Sequence, residues 1–378
     1  MTTRRNFIVC GAALGTAWAG GARCCVTAST SSCDSYSISI LGDTHFDAAP
    51  TSLYHGKWKP RHQNDWRDRQ GEFARNQQMW AERLPRLIAA AAKTRRPDTA
   101  YLFQMGDLIQ GDTPDSATHV RFLEDAMNLF KADLAPGLPF VTVAGNHDLR
   151  GNDDAVATRA YTSYMPARLS RELGQEITGS DFLFRVGPDA FVVIKFTKPD
   201  IARIERLIAE AKGSRHIFLV SHSPVFPYDD AKYFWWFLLG NRNDTHAAER
   251  RQMRKLLAEN EVIVLCGHTH ATEFLDWRGD GGRITQMTMS SVWSNDRLGS
   301  FNEIAGGAEQ YGTLLFKAKP ELKTEANQAL FAEYREGIQQ YSMALSAGSY
   351  KLIVDGPNVY VDFYAGSSEE LTHRYTLR

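Results

Sequence analysis

The chain has 378 residues, and its 43 lysine and arginine residues nearly balance 44 aspartate and glutamate residues, for a formal net charge of −1. This balance excludes a strongly basic nucleic-acid-binding chain and a chain drawn by bulk charge to an anionic membrane. Hydrophobic residues make up 43% and charged residues 23% of the sequence, as in ordinary globular proteins. The length allows one large α/β domain or two small ones, with a sizeable buried core.

The first residues have the pattern of an export signal. Arg4 and Arg5 precede a charge-free stretch, rich in glycine and alanine, that runs to Gly21. This stretch is too short and too glycine-rich for a stable membrane span, which needs about 20 mainly apolar residues. Residues 17–19 offer small side chains at the positions that a signal peptidase reads. The pattern resembles a twin-arginine signal, which implies export of the folded protein by the twin-arginine machinery to the periplasm or the exterior. The alternative is a disordered N-terminus with a chance arginine pair.

The five cysteines indicate neither a disulfide framework nor a lipid anchor. Cys24 follows Arg23, which does not fit the small residue that a lipoprotein site needs, so lipoprotein anchoring is not expected. Cys266 lies inside an apolar run and is predicted to be a small core residue. We therefore predict a signal peptide at residues 1–26, a linker at residues 27–35 and a single domain at residues 36–378.

Short apolar runs alternate with helical patterns along the domain. The runs are bounded by glycine or polar residues, which predicts buried strands of a sheet covered on both faces. The predicted strands are residues 38–41, 100–105, 140–144, 191–196, 217–220 and 262–266. The predicted helices are residues 72–93, with a kink or division at Pro85, and residues 117–134, 200–212 and 246–260. This alternation predicts an α/β architecture with a central, largely parallel or mixed sheet.

The last part of the chain changes character. Residues 321–346 have the spacing of one long helix. Residues 350–364 alternate around the turn sequence at 355–358, which predicts a β-hairpin. We therefore predict that the domain ends in a helix and a hairpin.

The polar clusters that follow the predicted strands carry the chemistry. In open α/β sheets the carboxyl ends of the strands converge on one crevice, so these clusters are expected to meet. Side chains two residues apart in an extended segment point the same way, as in Asp43 with His45 and His268 with His270. Mixed imidazole and carboxylate ligands suit zinc, manganese or iron. The clusters are Gly42-Asp43-Thr44-His45, Gly106-Asp107, Gly145-Asn146-His147-Asp148, Ser221-His222-Ser223 and Gly267-His268-Thr269-His270.

Each cluster alone has an ordinary interpretation as a turn at the end of a strand. The combination does not, because Gly-Asn-His-Asp is expected by chance in roughly one chain of this length in four hundred. All five clusters also occur in one chain, each after an apolar run. The series D-x-H, G-D, G-N-H-D, H and G-H-x-H, from Asp43 to His270, resembles the signature of calcineurin-like metallophosphoesterases.

The resemblance implies a fold of two packed mixed β-sheets flanked by helices and a centre with two metal ions. It assigns one ion to Asp43, His45, Asp107 and His270, and the other to Asp107, Asn146, His222 and His268. Asp107 would bridge the two ions.

The resemblance also assigns roles to the rest of the Gly-Asn-His-Asp cluster. His147 would be a catalytic group that faces the leaving oxygen, with Asp148 behind it as the residue that orients it. In the purple acid phosphatase branch a tyrosine lies three residues after the bridging aspartate. Gln110 stands there in this chain, so an Fe(III)–tyrosinate centre is not expected.

The function that this resemblance implies is hydrolysis of a small-molecule phosphate ester, by a phosphatase or phosphodiesterase of the cell envelope. Its cofactors would be two divalent or mixed-valence ions of manganese, iron or zinc. One alternative is a nuclease with the same two-metal chemistry, although a near-neutral chain argues against long nucleic acid. Another alternative is a non-catalytic binding scaffold on the same fold, although the complete ligand set argues against it.

An aromatic segment follows the His222 cluster directly. It is interpreted as a hydrophobic lid over the substrate, as a base-stacking wall or as a helix packed into the core, and the core helix is slightly favoured. Its aromatic residues are Phe226, Tyr228, Tyr233, Phe234, Trp235, Trp236 and Phe237.

Overall fold

The computed structural model describes residues 34–47, 74, 76–134, 136–196, 198–229, 234–240, 245–291, 303–306, 308–344 and 346–378. The predicted signal peptide and nearly all of the predicted linker lie outside the described residues. Within these ranges, no helix has both the length and the apolar character that crossing a bilayer requires.

The first sheet has six strands in the order β14-β13-β12-β1-β2-β3. Strands β1, β2 and β3 are parallel, and β12, β13 and β14 add to the β1 edge in antiparallel fashion. Their bounds are Ser35–Leu41 for β1, Thr99–Gln104 for β2, Phe140–Thr142 for β3, Gly348–Asp355 for β12, Asn358–Ala365 for β13 and His373–Thr376 for β14.

The second sheet has eight strands in the order β10-β11-β8-β9-β7-β6-β5-β4. Strands β5, β6, β7 and β9 are parallel, and the other four are antiparallel to their neighbours. Their bounds are Phe182–Val186 for β4, Asp189–Val193 for β5, Ile217–Val220 for β6, Ile263–Cys266 for β7, Thr272–Gly279 for β8, Gly282–Thr288 for β9, Glu303–Gly306 for β10 and Ile338–Ala344 for β11.

The two sheets pack face to face through a shared apolar core. Phe103 of the first sheet meets Phe191 of the second at a ring-centroid distance of 5.4 Å, and Phe191 stacks on Phe218 at 4.5 Å. The hydroxyl of Tyr36 on β1 donates to the buried carboxylate of Asp189 on β5 over 2.9 Å, which joins the sheets by a polar contact. The predicted pair of packed mixed sheets is confirmed.

Helices flank both sheets. Three of them pack with the first sheet, namely α1 (Leu84–Lys93), α2 (Ser116–Leu134) and α3 (Asp154–Leu173). The others lie on the second sheet's side, namely α4 (Ile201–Ala211), α5 (Ala247–Glu259), α6 (Thr313–Ala318) and α7 (Glu325–Arg335). Asp153 and Asp200 cap α3 and α4, because their carboxylates accept hydrogen bonds from backbone N–H groups of the first turn. The described helices thus cover the outer faces of both sheets.

The predicted strands correspond to β1, β2, β3, β5, β6 and β7, and the predicted hairpin is β12 with β13. The helix predicted at residues 72–93 is divided as expected, because a π-helical turn at Met79–Arg83 precedes α1 and Pro85 lies in the first turn of α1. Strand β5 ends at Val193 rather than at Phe196, so Phe196 lies beyond the carboxyl end of the strand. This shift matters for the site described below.

The single long helix predicted at residues 321–346 is wrong. Helix α7 ends at Arg335, and Ile338–Ala344 forms β11, which pairs with β8 and β10. The chain turns at Gly337, where a Cβ atom would lie only 2.2 Å from Nε1 of Trp277 on β8. Ile338, Tyr341 and Met343 are spaced three and two residues apart, which fits either a helix or a strand. Pairing with the edge of the second sheet selects the strand.

Candidate metal centre

The polar clusters meet where parallel strands of both sheets end. Asp43 and Asp107 follow β1 and β2 of the first sheet, whereas His222 and His268 follow β6 and β7 of the second. Asp43 also forms an isolated parallel bridge with Ser290, which follows β9, so the two sheets are joined at this edge. The carboxyl ends of parallel strands from both sheets therefore bring the polar clusters together, as the sequence predicts.

Backbone strain is concentrated in the clusters. Four of the predicted ligands have positive φ angles, which non-glycine residues rarely adopt: 44° for His45, 50° for Asp107, 74° for His268 and 55° for His270. Each such residue costs on the order of 1–3 kcal/mol and persists only where surrounding contacts hold it in place. The strain at these positions is consistent with a site that was selected for its geometry rather than for stability.

Asp107 lies at the centre of the site. Its Oδ2 atom is 3.2 Å from Nε2 of His222 and 3.7 Å from Nε2 of His45, while Oδ1 accepts a hydrogen bond from the backbone N–H of His147 over 2.7 Å. Gly145 is required beside it, because a Cβ there would lie 2.2 Å from both the amide nitrogen and Oδ1 of Asp107. One oxygen of Asp107 is thus held by the backbone and the other faces two groups of histidines.

The first group of donors is formed by Asp43, His45 and His270, whose nearest donor atoms all lie within 4.8 Å of one another. Nε2 of His270 is 3.1 Å from Oδ2 of Asp43 and 3.0 Å from Nε2 of His45. The Asp43 carboxylate is fully buried and also accepts the backbone N–H of His268. We call these three residues the first ligand cluster.

The second ligand cluster is formed by Asp107, His222 and His268, again with donor atoms within 4.8 Å. Nε2 of His222 is 3.0 Å from Nδ1 of His268 and 3.2 Å from Oδ1 of Asn146. Nδ1 of His222 donates to the carbonyl oxygen of Met105 over 2.8 Å. In the neutral form of His222 this contact places the proton on Nδ1, so that Nε2 carries the lone pair that faces the cluster.

The donor atoms fit two transition-metal ions. Two imidazole nitrogens at 3.0 Å cannot face each other as neutral acceptors, so a proton or a cation has to lie between them. Burial alone would lower the pKa of His222, but the Asp107 and Asp43 carboxylates raise it to about 9. The two buried carboxylates thus favour positive charge at this position. Burial lowers the pKa of His45 to about 4, so this ring is neutral at pH 7. Each cluster combines imidazole with oxygen, the set that suits zinc, manganese or iron.

His147 lies at the edge of the site, next to the first ligand cluster. Its ring meets the ring of His45 edge-on at a centroid distance of 4.4 Å, and one of its nitrogens lies within 4.8 Å of donor atoms of His45 and Asp107. Its Nδ1 atom donates to the backbone carbonyl of Gln110 over 2.8 Å. Burial and the nearby Arg150 guanidinium lower the pKa of His147 well below its usual value.

The resemblance makes Asp148 the residue that orients His147, and the structure shows which groups each of the two side chains contacts. The buried carboxylate of Asp148 accepts the backbone N–H groups of Ile109 over 3.0 Å and Gly145 over 2.9 Å. The carbonyl of Gln110 contacts the His147 ring. Asp148 therefore holds the loop that carries His147, and the catalytic roles of both residues stay predictions.

Several residues of the site were not evident from the sequence. The carbonyls of Met105 and Gln110 orient two imidazoles, and no side-chain pattern signals a backbone acceptor. Arg150, which pairs with Asp112 over 2.8 Å, follows the Gly-Asn-His-Asp cluster by two residues. Trp80 donates from Nε1 to the carbonyl of His45 over 3.0 Å. These contacts come from segments far apart in the sequence, and only the fold brings them together.

The aromatic segment divides between core and site. Phe226, Tyr228, Phe234 and Phe237 are buried, so the interpretation as core packing is confirmed for them, although the described part of the segment contains no helix. Tyr233 lies outside the described residues. Trp236 is only half-buried, and its ring stacks on His268 at a centroid distance of 5.0 Å.

The match to a family model agrees with this description. A model of the calcineurin-like phosphoesterase family matches residues 36–272. No functionally curated protein matches the chain. Among solved structures, the chain is similar to a purple acid phosphatase from seeds of yellow lupin (Lupinus luteus), with 12% identity and a TM-score of 0.48 over 90% of this chain and 53% of that one. The chain thus spans about half the length of the lupin protein.

Two further solved structures are similar to a comparable extent. PhoD shares 10% identity with a TM-score of 0.49 over 92% of this chain and 70% of its own. A dimetal phosphatase from Danio rerio shares 12% identity with a TM-score of 0.47 over 90% of this chain and 98% of its own.

Proposed function

The chain belongs to the calcineurin-like phosphoesterase family, and from this premise we propose that it is a phosphatase or phosphodiesterase that hydrolyses a small-molecule phosphate ester with two metal ions. One observation carries the proposal. Oδ2 of Asp107 lies 3.2 Å from Nε2 of His222 and 3.7 Å from Nε2 of His45, so a single carboxylate oxygen faces a histidine of each ligand cluster. A shared carboxylate is what a pair of neighbouring metal ions requires.

The predicted ligands would bind the two ions in two sets that share Asp107. Asp43, His45, Asp107 and His270 would hold one ion, and Asp107, Asn146, His222 and His268 the other. When bound, two such ions would supply positive charge for the phosphoryl oxygens and would lower the pKa of water at the site toward neutrality.

Two backbone carbonyls would orient histidines of the site, and one of these histidines would face the leaving group. The Met105 carbonyl orients His222, and the Gln110 carbonyl orients His147. Because the carbonyl of Gln110 can only accept, Nδ1 of His147 carries a proton and Nε2 is the nitrogen available to the leaving oxygen. To donate a proton there, His147 has to be an imidazolium, which Asp107 favours and both burial and Arg150 oppose.

We expect the purified protein to contain close to two transition-metal ions per chain and to lose its activity on chelation. Metal analysis combined with hydrolysis of a chromogenic phosphomonoester and a chromogenic phosphodiester measures both. Restoring activity with manganese, zinc or iron after chelation is the control for irreversible unfolding. Two bound ions without hydrolysis of any ester would favour the binding scaffold, and preference for a polynucleotide would favour the nuclease.

We also propose that the protein is exported, because Arg4 and Arg5 precede the charge-free stretch described above. A fusion of residues 1–35 to a reporter should be exported from the cytoplasm. Replacing both arginines by lysine should block export, since the arginine pair rather than positive charge is the feature that the machinery reads. Unchanged export of the double-lysine fusion would indicate a general secretion signal.

A further inference from the structure

Two aromatic side chains contact the second ligand cluster, and the hydrolytic chemistry gives neither of them a role. The Phe196 ring lies 5.3 Å from the ring of His268 and 5.7 Å from that of His222. Trp236 stacks on His268 at 5.0 Å with an interplanar angle of 27°. Both aromatic residues are half-buried, whereas Phe234 and Phe237 beside Trp236 are buried in the core. Part of an apolar surface is thus left accessible at one cluster.

The segment holds Trp236 firmly. Phe234 and Leu238 anchor it in the apolar core between the second sheet and its helices, and the backbone N–H of Leu238 donates to the carbonyl of Pro224 over 2.7 Å. Trp235 meets Trp236 edge-on at 5.5 Å. An indole held in this way loses little freedom on binding a ligand, so its contacts with a ligand are not offset by ordering.

The accessible aromatic surface and His147 contact different ligand clusters. His147 contacts His45 in the first cluster, whereas Phe196 and Trp236 contact His222 and His268 in the second. Asp107 of the second cluster also faces the first, because its Oδ2 atom lies 3.7 Å from Nε2 of His45. If the leaving group departs beside His147, a phosphate held between the clusters presents its other substituent to Phe196 and Trp236.

We propose that Phe196 and Trp236 form a stacking wall for the ester group that stays on phosphorus, and that the preferred substrates are phosphodiesters whose retained group carries a planar aromatic ring. This inference rests on the proposed function. In the reaction, a water molecule loses a proton and its oxygen bonds to phosphorus, the bond to the leaving oxygen breaks with its electron pair, the proton passes to the leaving oxygen or to solvent, and the retained ester bond stays intact. Aryl groups and nucleobases share the flat π-face that such a wall recognises.

The test uses two diesters that release the same group, p-nitrophenyl phenyl phosphate and p-nitrophenyl methyl phosphate. Because p-nitrophenolate departs from both, the change in the ratio of their kcat/KM values between the unchanged protein and a variant isolates recognition of the retained group, since the intrinsic reactivities of the two esters cancel. We expect the full-length protein to favour the phenyl ester. Phe196→Leu and Trp236→Leu should each lower this ratio about tenfold, the size of one lost stacking contact. Thymidine 5′-(p-nitrophenyl phosphate) then distinguishes a nucleobase from a simple aryl group.

Phe316→Leu is the matched control. Phe316 is a half-buried aromatic residue packed against the same core, and its ring contacts Phe331 at 5.7 Å. This variant should leave the phenyl-to-methyl ratio unchanged.

Parallel loss of both diester activities together with bound metal in the Phe196 and Trp236 variants would overturn the inference, because the two rings would then only support the histidine ligands. A protein that hydrolyses monoesters but neither diester would also overturn it while leaving the proposed function intact. A protein that holds two ions and hydrolyses no phosphate ester would refute both.

Discussion

Replacing Asp107 by asparagine should lower metal content at both positions of the centre and abolish hydrolysis. Asparagine keeps the shape of the side chain and can still accept the backbone N–H of His147. It replaces Oδ2 by an amide NH₂, which is a donor aimed at Nε2 of His222 and of His45. Loss of an outer-shell partner alone typically costs about 10–100-fold in metal affinity, and a shared ligand should cost more at each ion.

Metal analysis of the Asp107→Asn protein, with folding followed by circular dichroism, measures this effect. Asp189→Asn is a matched control, because Asp189 is also fully buried but lies at the start of β5, whereas the site lies at the carboxyl ends of the strands. Its carboxylate accepts hydrogen bonds from Tyr36 and Arg215. The control should lose stability and keep both ions. Two ions per chain in the Asp107→Asn protein would show that Asp107 does not bridge them.

Substitution of His147 should reduce the rate without removing the metal. His147→Gln or His147→Ala leaves all the assigned ligands in place, so metal content should stay near normal. Hydrolysis should fall by about 10²–10⁴-fold, the usual range for a lost general acid or leaving-group stabiliser. The loss should be smaller for p-nitrophenyl esters, whose leaving group is already a stable anion, and larger for alkyl esters.

His268→Ala is the control for this result, because His268 is a predicted ligand and His147 is a predicted catalytic group. Nδ1 of His268 lies 3.0 Å from Nε2 of His222 inside the second ligand cluster, so its removal should cost metal and activity together. His147 also has a nitrogen within 4.8 Å of donor atoms of His45 and Asp107. Equal metal loss in the His147 and His268 variants would therefore make His147 a ligand, and the leaving oxygen would need another acid.

The sequence by itself determined the parts of this protein that depend on local pattern. Short apolar runs identified β1, β2, β3, β5, β6 and β7, because a buried strand needs an apolar side chain on each face. The polar clusters identified the candidate ligands, because strand ends in α/β sheets converge and side chains two apart share a direction. The resemblance added the pairing of the sheets, which the strand pattern left open.

Tertiary structure decided what depends on contacts between distant segments. Residues 338–344 became β11 because the edge of the second sheet was available for pairing, although their spacing also suits a helix. The carboxylate of Asp148 accepts the backbone N–H groups of Gly145 and Ile109, and Phe196 passed beyond the end of β5 to reach His268. The backbone N–H of His268 meets Asp43 across 225 residues of sequence. The local sequence pattern predicts the direction in which a side chain points from its own strand. The atom that this side chain contacts belongs to a distant segment, which only the tertiary structure brings into place.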